Sequence, residues 1–125
     1  MHQTTIVSTE ARKCHASGEK LSIDMASDGL GANPVDVLLA SLGACIGHYV
    51  GLFLEREGVV HGSFEIDVQC EPVAGEAHLG TIHLAIRVRG ANLAAAQKEA
   101  LRGFVTQCRI HATLSAALRI DIVVA

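Results

Sequence analysis

Residues 33–58 read NPVDVLLASLGACIGHYVGLFLEREG, and this stretch decides the fold. Its beginning has the chemistry of a helix start, because Asn33 can cap a helix and Pro34 suits the first helical position. Its end carries three charged residues followed by Gly58, which is typical of a helix stop. No charged residue lies between positions 37 and 54. We therefore predict one long apolar helix.

The apolar stretch is also long enough to cross a membrane, and Gly43, Gly47 and Gly51 repeat a small-residue spacing seen in membrane helix pairs. However, neither flank carries a basic cluster, and the segments that follow alternate like water-soluble strands. We therefore predict a helix that is buried on all sides in a soluble core. The glycines would let another backbone approach one face, while Cys45 and His48 project from roughly the opposite face.

The size and composition of the chain predict one domain over residues 1–125 with an aliphatic core, since 50% of the residues are hydrophobic and only 3% are aromatic. A chain of this size has difficulty covering an apolar helix on every side, so a homodimer is expected. The net charge of −3 without a basic block argues against a nucleic-acid partner. The N-terminus lacks the pattern of a signal peptide, which favours a cytoplasmic location.

The segments around the long helix predict strands and two further helices. Four segments have the β-branched or alternating pattern of strands, namely residues 4–8, 21–26, 64–71 and 82–89. Residues 12–15, before a turn at Ser17-Gly18, are counted as the second of three N-terminal strands. The strands over residues 64–71 and 82–89 are predicted to form a hairpin with one buried face. We predict a second helix capped by Asn92, a short third helix over residues 108–118, and a last strand over residues 120–124. The predicted order βββ-α-ββ-αα-β is an α+β fold with helices laid on antiparallel sheet.

The four cysteines, Cys14, Cys45, Cys70 and Cys108, form neither a dense framework nor a C-x-x-C motif. Cys45 and Cys108 each precede a histidine by three residues, which is a neighbouring position on a helix. Cys70 falls on the apolar side of its strand and is interpreted as a core residue. Cys14 lies in a polar stretch without an evident partner.

Three interpretations of Cys45 and Cys108 stay open at this point. They can be a reactive pair, in which one thiolate is oxidised to sulfenic acid and the other thiol resolves it as a disulfide. Either cysteine could attack, and Arg12 is a candidate for lowering the pKa of Cys45. Together with His48 and His111, the two cysteines could also supply the four ligands of a zinc site. Each can equally be a small apolar core residue.

The run GANPVDVLLASLGAC at residues 31–45, the run QCRIHATL at residues 107–114 and the order of elements resemble the OsmC/Ohr family, the osmotically induced and organic-hydroperoxide-resistance proteins. The resemblance implies an intertwined homodimer whose central helices pack between sheets of both subunits. It also implies thiol-dependent reduction of organic hydroperoxides, with Cys45 as the peroxidatic cysteine and Cys108 as the resolving one. Arg12 looks like the counterpart of the arginine that stabilises the thiolate and polarises the peroxide. A dithiol or a lipoylated protein would be the reductant, and no cofactor or metal is expected.

One position departs from the peroxidase branches of the family, in which a glutamate follows Asn-Pro directly and orients the arginine. Val35 stands at that position here. Asp36 is rotated from it by about 100° on a helix, so it cannot simply substitute. The alternative function is therefore a non-enzymatic OsmC-like protein that binds a small apolar or thiol-reactive ligand, and a Cys/His zinc-binding domain is the third hypothesis.

Overall fold

The computed structural model describes residues 1–125 and contains five strands and three helices. The strands are β1 (Thr5–Glu10), β2 (Lys13–Ser17), β3 (Ser22–Ala26), β4 (Phe64–Pro72) and β5 (Leu79–Val88). The helices are α1 (Pro34–Arg56), α2 (Ala95–Val105) and α3 (Arg109–Ser115). Both sheets are antiparallel, so the predicted α+β class is confirmed. The chain divides into two compact units, Met1–Ala40 and Ser41–Ala125.

The first unit is built on a three-stranded sheet with the strand order β1-β2-β3. Cys14 of β2 pairs with Met25 of β3, and Ala16 pairs with Ile23, so these four side chains share one face. Ala16 is buried. This face is therefore the apolar face of the sheet.

The predicted start and stop of α1 are confirmed. The Asn33 side-chain oxygen accepts a hydrogen bond from the backbone N–H of Val35 at 2.8 Å, as in an N-cap. At the other end, the Val59 N–H donates to the carbonyl oxygen of Leu54 at 2.9 Å. Gly58 takes a positive φ of 64° between them. This is a Schellman stop, in which only glycine adopts the required backbone without strain.

The second unit has its core between α1, the β4–β5 hairpin and α2. One stripe of α1 supplies most of the buried residues, since every fourth position faces the same side. The buried cluster consists of Leu42, Ile46, Val50, Phe53, Leu54, Leu101, Val105 and Cys108. The apolar faces of β4 and β5 pack against this cluster, as the alternating pattern predicted.

Two of the three glycines in α1 provide room for the hairpin. A Cβ atom on Gly43 would lie 3.0 Å from a methyl carbon of Val68. A Cβ atom on Gly47 would lie 3.5 Å from Ile66, whereas one on Gly51 would meet nothing within 4 Å. The predicted close approach therefore occurs, but it involves side chains of β4 and not another backbone.

The prediction that α1 is buried on all sides is wrong for a single chain. Val35, Leu38 and Leu52 remain 40%, 37% and 40% exposed. By length and composition α1 could cross a membrane, but the core helix of a soluble protein satisfies the same criteria. The single chain thus buries one face of an apolar helix and leaves apolar side chains on its other faces exposed to solvent.

Two helix boundaries differ from the sequence prediction. The third helix ends at Ser115 and not at residue 118. Asn92 does not cap α2, which begins two residues later than expected. Ala94 is the cap residue, and its backbone N–H donates to the side-chain oxygen of Gln97 at 2.8 Å. A glutamine at this position supplies the reciprocal half of a capping box, which explains the later start.

The predicted last strand over residues 120–124 does not form within the chain. Ile120, Ile122 and Val124 are 76%, 85% and 93% exposed, and no strand pairs with them. A strand needs a neighbour for its backbone hydrogen bonds, and the alternating pattern alone does not supply one.

Candidate active site

The structure brings Cys45 and Cys108 together. Cys45 lies about three turns inside α1, and Cys108 is the N-cap residue of α3. Each thiol is close enough to shift the pKa of the other, and both cysteines are free thiols. Cys108 is fully buried, whereas Cys45 is half-buried. Two thiols that are 63 positions apart in sequence therefore form one site.

A tight turn between α2 and α3 positions Cys108. The Cys108 N–H donates to the carbonyl oxygen of Val105 at 3.1 Å, and the Thr106 hydroxyl donates to that of Gly103 at 2.6 Å. Leu101 and Val105 anchor α2 in the core cluster with α1, and Cys108 belongs to the same cluster. The chain therefore turns back immediately after α2 and presents the Cys108 thiol to α1.

The surroundings of Cys45 favour its thiolate. Burial raises its pKa, but this effect is outweighed by a hydrogen bond from Cys108 and by hydrogen bonds from the backbone N–H groups of Ile110 and Arg109. The positive charge of Arg109 acts in the same direction. The net result is a pKa below the ordinary value for cysteine. Hydrogen bonds to the charged form and a nearby cation are established ways to produce a reactive thiolate.

The surroundings of Cys108 have the opposite effect. Burial raises its pKa, and so does its hydrogen bond with Cys45, because donating that bond requires the proton to stay on Cys108. The backbone N–H of His111 approaches the Cys108 sulfur at 3.4 Å and opposes the shift without reversing it. One thiol of the pair is thus poised to ionise first and the other to remain protonated.

Sequence reasoning missed Arg109 as a member of the site. The available signal was its position directly after Cys108, in the run QCRIH. Only the pairing of the first turn of α3 with the middle of α1 reveals that the Arg109 charge and backbone N–H act on Cys45 and not on a substrate in solution.

Arg12, the predicted activator, lies in the first unit, in the turn between β1 and β2. It is the one residue other than glycine with a positive φ, at 61°. Its carbonyl oxygen accepts a hydrogen bond from the Ser27 N–H at 2.8 Å, which holds the turn in place. For an arginine this left-handed backbone is strained, and strain of this kind clusters at functional sites.

The two histidines of the predicted zinc set do not join the cysteines as ligands. His48 is exposed on α1, where its ring stacks edge-on with Tyr49 at 5.2 Å between centroids. His111 contacts Cys108 through its backbone N–H and not through its ring. No three histidine, cysteine, aspartate or glutamate side chains in the chain lie close enough together to hold a metal ion. The geometry therefore does not favour the zinc hypothesis.

Comparison with known proteins identifies the family. The sequence profile of the OsmC-like protein family matches residues 27–123, which is most of the chain and includes both cysteines of the site. This chain belongs to the OsmC-like family. No curated protein matches it by sequence.

Solved structures share the fold of this OsmC-like chain. An OsmC-like protein from Mycoplasma pneumoniae has a TM-score of 0.78 at 21% identity, over 92% of this chain and 87% of the other. An organic hydroperoxide resistance protein OsmC from Legionella pneumophila, also described as a predicted redox protein, has a TM-score of 0.69 at 17% identity, over 91% and 90%. The organic hydroperoxide resistance protein OhrB of Bacillus subtilis has a TM-score of 0.58 at 15% identity, over 90% of each chain.

We predict that Arg109→Gln shifts the pH profile of Cys45 alkylation by iodoacetamide to higher pH. The positive charge of Arg109 stabilises the Cys45 thiolate, so its removal raises the pKa of Cys45. A smaller fraction of Cys45 is then thiolate at any given pH in the titration range. The measurement follows the Cys45 peptide by mass spectrometry in the reduced protein. Arg102→Gln, on exposed α2 surface, serves as the matched control and leaves the profile in place. An unmoved profile in Arg109→Gln would contradict the assignment of this arginine.

Proposed function

We propose that this OsmC-like protein reduces organic hydroperoxides with the Cys45–Cys108 pair. The observation that supports this most strongly is the proximity of the two thiols at the margin of the core, together with the opposite shifts of their pKa values. The Cys45 thiolate would attack the distal peroxide oxygen, release an alcohol and become sulfenic acid. The Cys108 thiol would then displace water and form the disulfide.

The surroundings of Cys45 favour an apolar substrate. Cys45, Tyr49 and Ile110 pack against the apolar core cluster, and the cluster itself contains no buried polar or charged side chain. The alkyl group of an organic hydroperoxide gains from such surroundings, because burying apolar area contributes about 25 cal/mol per Å². The names of the Legionella and Bacillus proteins, which share the fold, point to the same substrate class.

The roles of Cys45 and Cys108 are tested by steady-state turnover of cumene hydroperoxide with a dithiol such as dihydrolipoamide. Cys45→Ser is expected to abolish turnover, because no other thiol has the same activating contacts. Cys108→Ser is expected to react once and then accumulate sulfenic acid at Cys45, since the resolving thiol is missing. Cys70→Ser, on the apolar face of β4, is the control and retains turnover.

Undiminished turnover in Cys45→Ser would end the peroxidase assignment. Wild-type protein that is inert with every dithiol, yet retains an apolar ligand on purification, would instead favour the alternative of a non-enzymatic ligand-binding protein. The observation behind this alternative is Val35, which is 40% exposed in the first turn of α1 and offers no carboxylate.

We also propose Arg12 as the residue that polarises the peroxide. The anchored turn fixes the backbone position of Arg12, and the planar donors of a guanidinium suit a developing oxyanion. The backbone strain at φ 61° is costly for arginine and would be relieved by glycine. That arginine is present nevertheless supports a functional reason for it.

We predict that Arg12→Gly raises the free energy of unfolding by about 1 kcal/mol, which is the order of the strain in a left-handed residue. The same substitution is expected to lower peroxide turnover, because the guanidinium is lost. Denaturant unfolding and turnover are measured on the same samples. Lys13→Gly, the neighbouring cation in extended backbone of β2, is expected to lose stability instead. Full turnover in Arg12→Gly would contradict the role of Arg12.

A homodimer is the proposed assembly, in keeping with the intertwined dimer that the resemblance implies. Exposed apolar residues on three parts of the chain support it: Ile6 and Val7 on β1, Leu38 and Leu52 on α1, and Ile120, Ile122 and Val124 after α3. Exposed apolar positions in this number are unusual for a monomer. A second copy would supply a cover for α1 and a sheet for residues 120–124.

We predict that Leu52→Glu raises the Kd of the dimer by about 10-fold or more. Burying a leucine side chain contributes about 1.5–3 kcal/mol to binding, and this contribution is lost, while burying an unpaired carboxylate is unfavourable. Light scattering after size exclusion, over a series of protein concentrations, measures the change. Gln69→Glu places the same charge on the polar face of β4 and should leave the dimer intact. A wild-type chain that stays monomeric at high micromolar concentration would rule the dimer out.

The reductant and location follow from the same chemistry. A half-buried disulfide on an apolar surface is best reached by a small dithiol or a flexible lipoyl arm. We therefore propose a lipoylated protein or an equivalent dithiol as the reductant. Four free cysteines without a structural disulfide suit a reducing compartment, so we propose the cytoplasm.

A further inference from the structure

His111 has a feature that the proposed function leaves unused. Its ring nitrogen Nδ1 is the one buried side-chain nitrogen or oxygen in the chain without a hydrogen-bond partner. An unsatisfied buried polar atom costs about 1–3 kcal/mol, so such atoms call for an explanation. The backbone N–H of the same residue contacts the Cys108 sulfur at 3.4 Å. The orphaned nitrogen therefore belongs to a residue that already touches the resolving thiol.

The Cys108 thiol has no route of its own by which to lose a proton. Cys108 is 0% exposed, and its proton is donated to the Cys45 sulfur. When Cys45 has been oxidised to sulfenic acid, the thiolate that accepted this hydrogen bond no longer exists. Cys108 must nevertheless deprotonate to attack, because the thiolate is the nucleophile in disulfide formation. The step requires a base near a thiol that water does not reach.

His111 borders both this buried thiol and an open groove. Its side chain lines an open groove whose apolar wall includes Ile46, Leu84 and Val105. Covalent geometry keeps Nδ1 within about 4.5 Å of the His111 backbone nitrogen, which itself contacts the sulfur. Nδ1 itself is buried and makes no hydrogen bond to the Cys108 sulfur in the reduced protein, while the residue as a whole reaches the groove. A proton accepted inside can leave through the groove.

The other polar groups around the groove are poor bases. The lining contains Arg87 and Arg89 from β5 and Lys98 and Arg102 from α2, all of which are hydrogen-bond donors when charged. Within α3, the Thr113 hydroxyl already donates to the carbonyl oxygen of Arg109 at 2.7 Å. Histidine is the side chain that exchanges a proton readily near neutral pH.

We propose that His111 is the proton acceptor for Cys108 in the disulfide-forming step, an inference that rests on the proposed peroxidase function. The Cys108 S–H proton passes to Nδ1 when rotation of the His111 ring brings this nitrogen, which has no partner in the reduced protein, to the sulfur. The sulfur electron pair then forms the S–S bond with Cys45, and the S–O bond of the sulfenic acid breaks. The departing hydroxide takes up a proton and leaves as water. The Cys45 sulfur is reduced, the Cys108 sulfur is oxidised by the same amount, and no further reagent is consumed.

The test is a single turnover of fully reduced protein with one equivalent of cumene hydroperoxide. Dimedone trapping followed by mass spectrometry measures sulfenic acid at Cys45, and peptide mapping measures the Cys45–Cys108 disulfide. In His111→Ala, oxidation of Cys45 is expected to proceed at the wild-type rate, while disulfide formation slows by about 100-fold, the scale of general-base catalysis. Sulfenic acid therefore accumulates. Added imidazole is expected to enter the open groove and restore disulfide formation.

Two further variants control the result. His111→Asn retains a polar group close to the position of Nδ1 but no basic nitrogen, so it should also form the disulfide slowly, and it keeps the test valid if His111→Ala folds poorly. His83→Ala, on the exposed face of β5, should match the wild type.

Three outcomes would overturn the proposal. Disulfide formation in His111→Ala at the wild-type rate would show that no base is needed at this position. Slow formation that imidazole does not restore would assign His111 a purely structural role. Wild-type protein in which Cys45 is not oxidised at all would remove the peroxidase function itself, and this result is distinguishable because no sulfenic acid is trapped in any variant.

Discussion

The packing of α1 against the β4–β5 hairpin and α2 is the constraint on which the rest of this structure depends. Leu42, Ile46, Val50 and Leu54 recur at every fourth position and fix the rotation of the helix about its axis. That rotation leaves Cys45 at the margin of the core, half-buried and beside the first turn of α3. Because α2 is anchored in the same core, the short turn after it delivers Cys108 to Cys45. The site is thus a consequence of core packing and not of a loop that folds independently.

The surroundings give two chemically identical thiols different pKa values. Burial alone would raise the pKa of both. Cys45 also receives a hydrogen bond from Cys108, two backbone N–H groups and the charge of Arg109, whereas Cys108 is the donor in the shared bond. A single proton placed between two sulfurs therefore lowers one pKa and raises the other. This asymmetry supports the attacking role proposed for Cys45 on physical grounds, which the sequence pattern alone did not do.

The long helix and the β4–β5 hairpin could be predicted from the sequence because their patterns are local and strongly periodic. Asn33 and Gly58 mark the ends of α1 by side-chain and backbone chemistry that needs no tertiary context. The last strand could not be predicted correctly for one chain, because Ile120 and Ile122 alternate properly but a strand exists only where another strand pairs with it.

Parts of the site also could not be predicted from local sequence patterns. Cys45 and Cys108 could be singled out as a pair, but the role of Arg109 depends on the contact between α1 and α3. The orphaned ring nitrogen of His111 is likewise visible only once burial is known. At Arg12, the sequence suggested a function, and the left-handed backbone adds a physical reason that residue type alone does not carry.

The most direct measurement is a titration of reduced protein with cumene hydroperoxide and, separately, with hydrogen peroxide, in which free thiols are counted and any disulfide is located by mass spectrometry. The account predicts a fast, stoichiometric disulfide between Cys45 and Cys108, with a clear preference for the organic peroxide. Thiols that stay reduced, or a disulfide that involves Cys14 or Cys70, would contradict it.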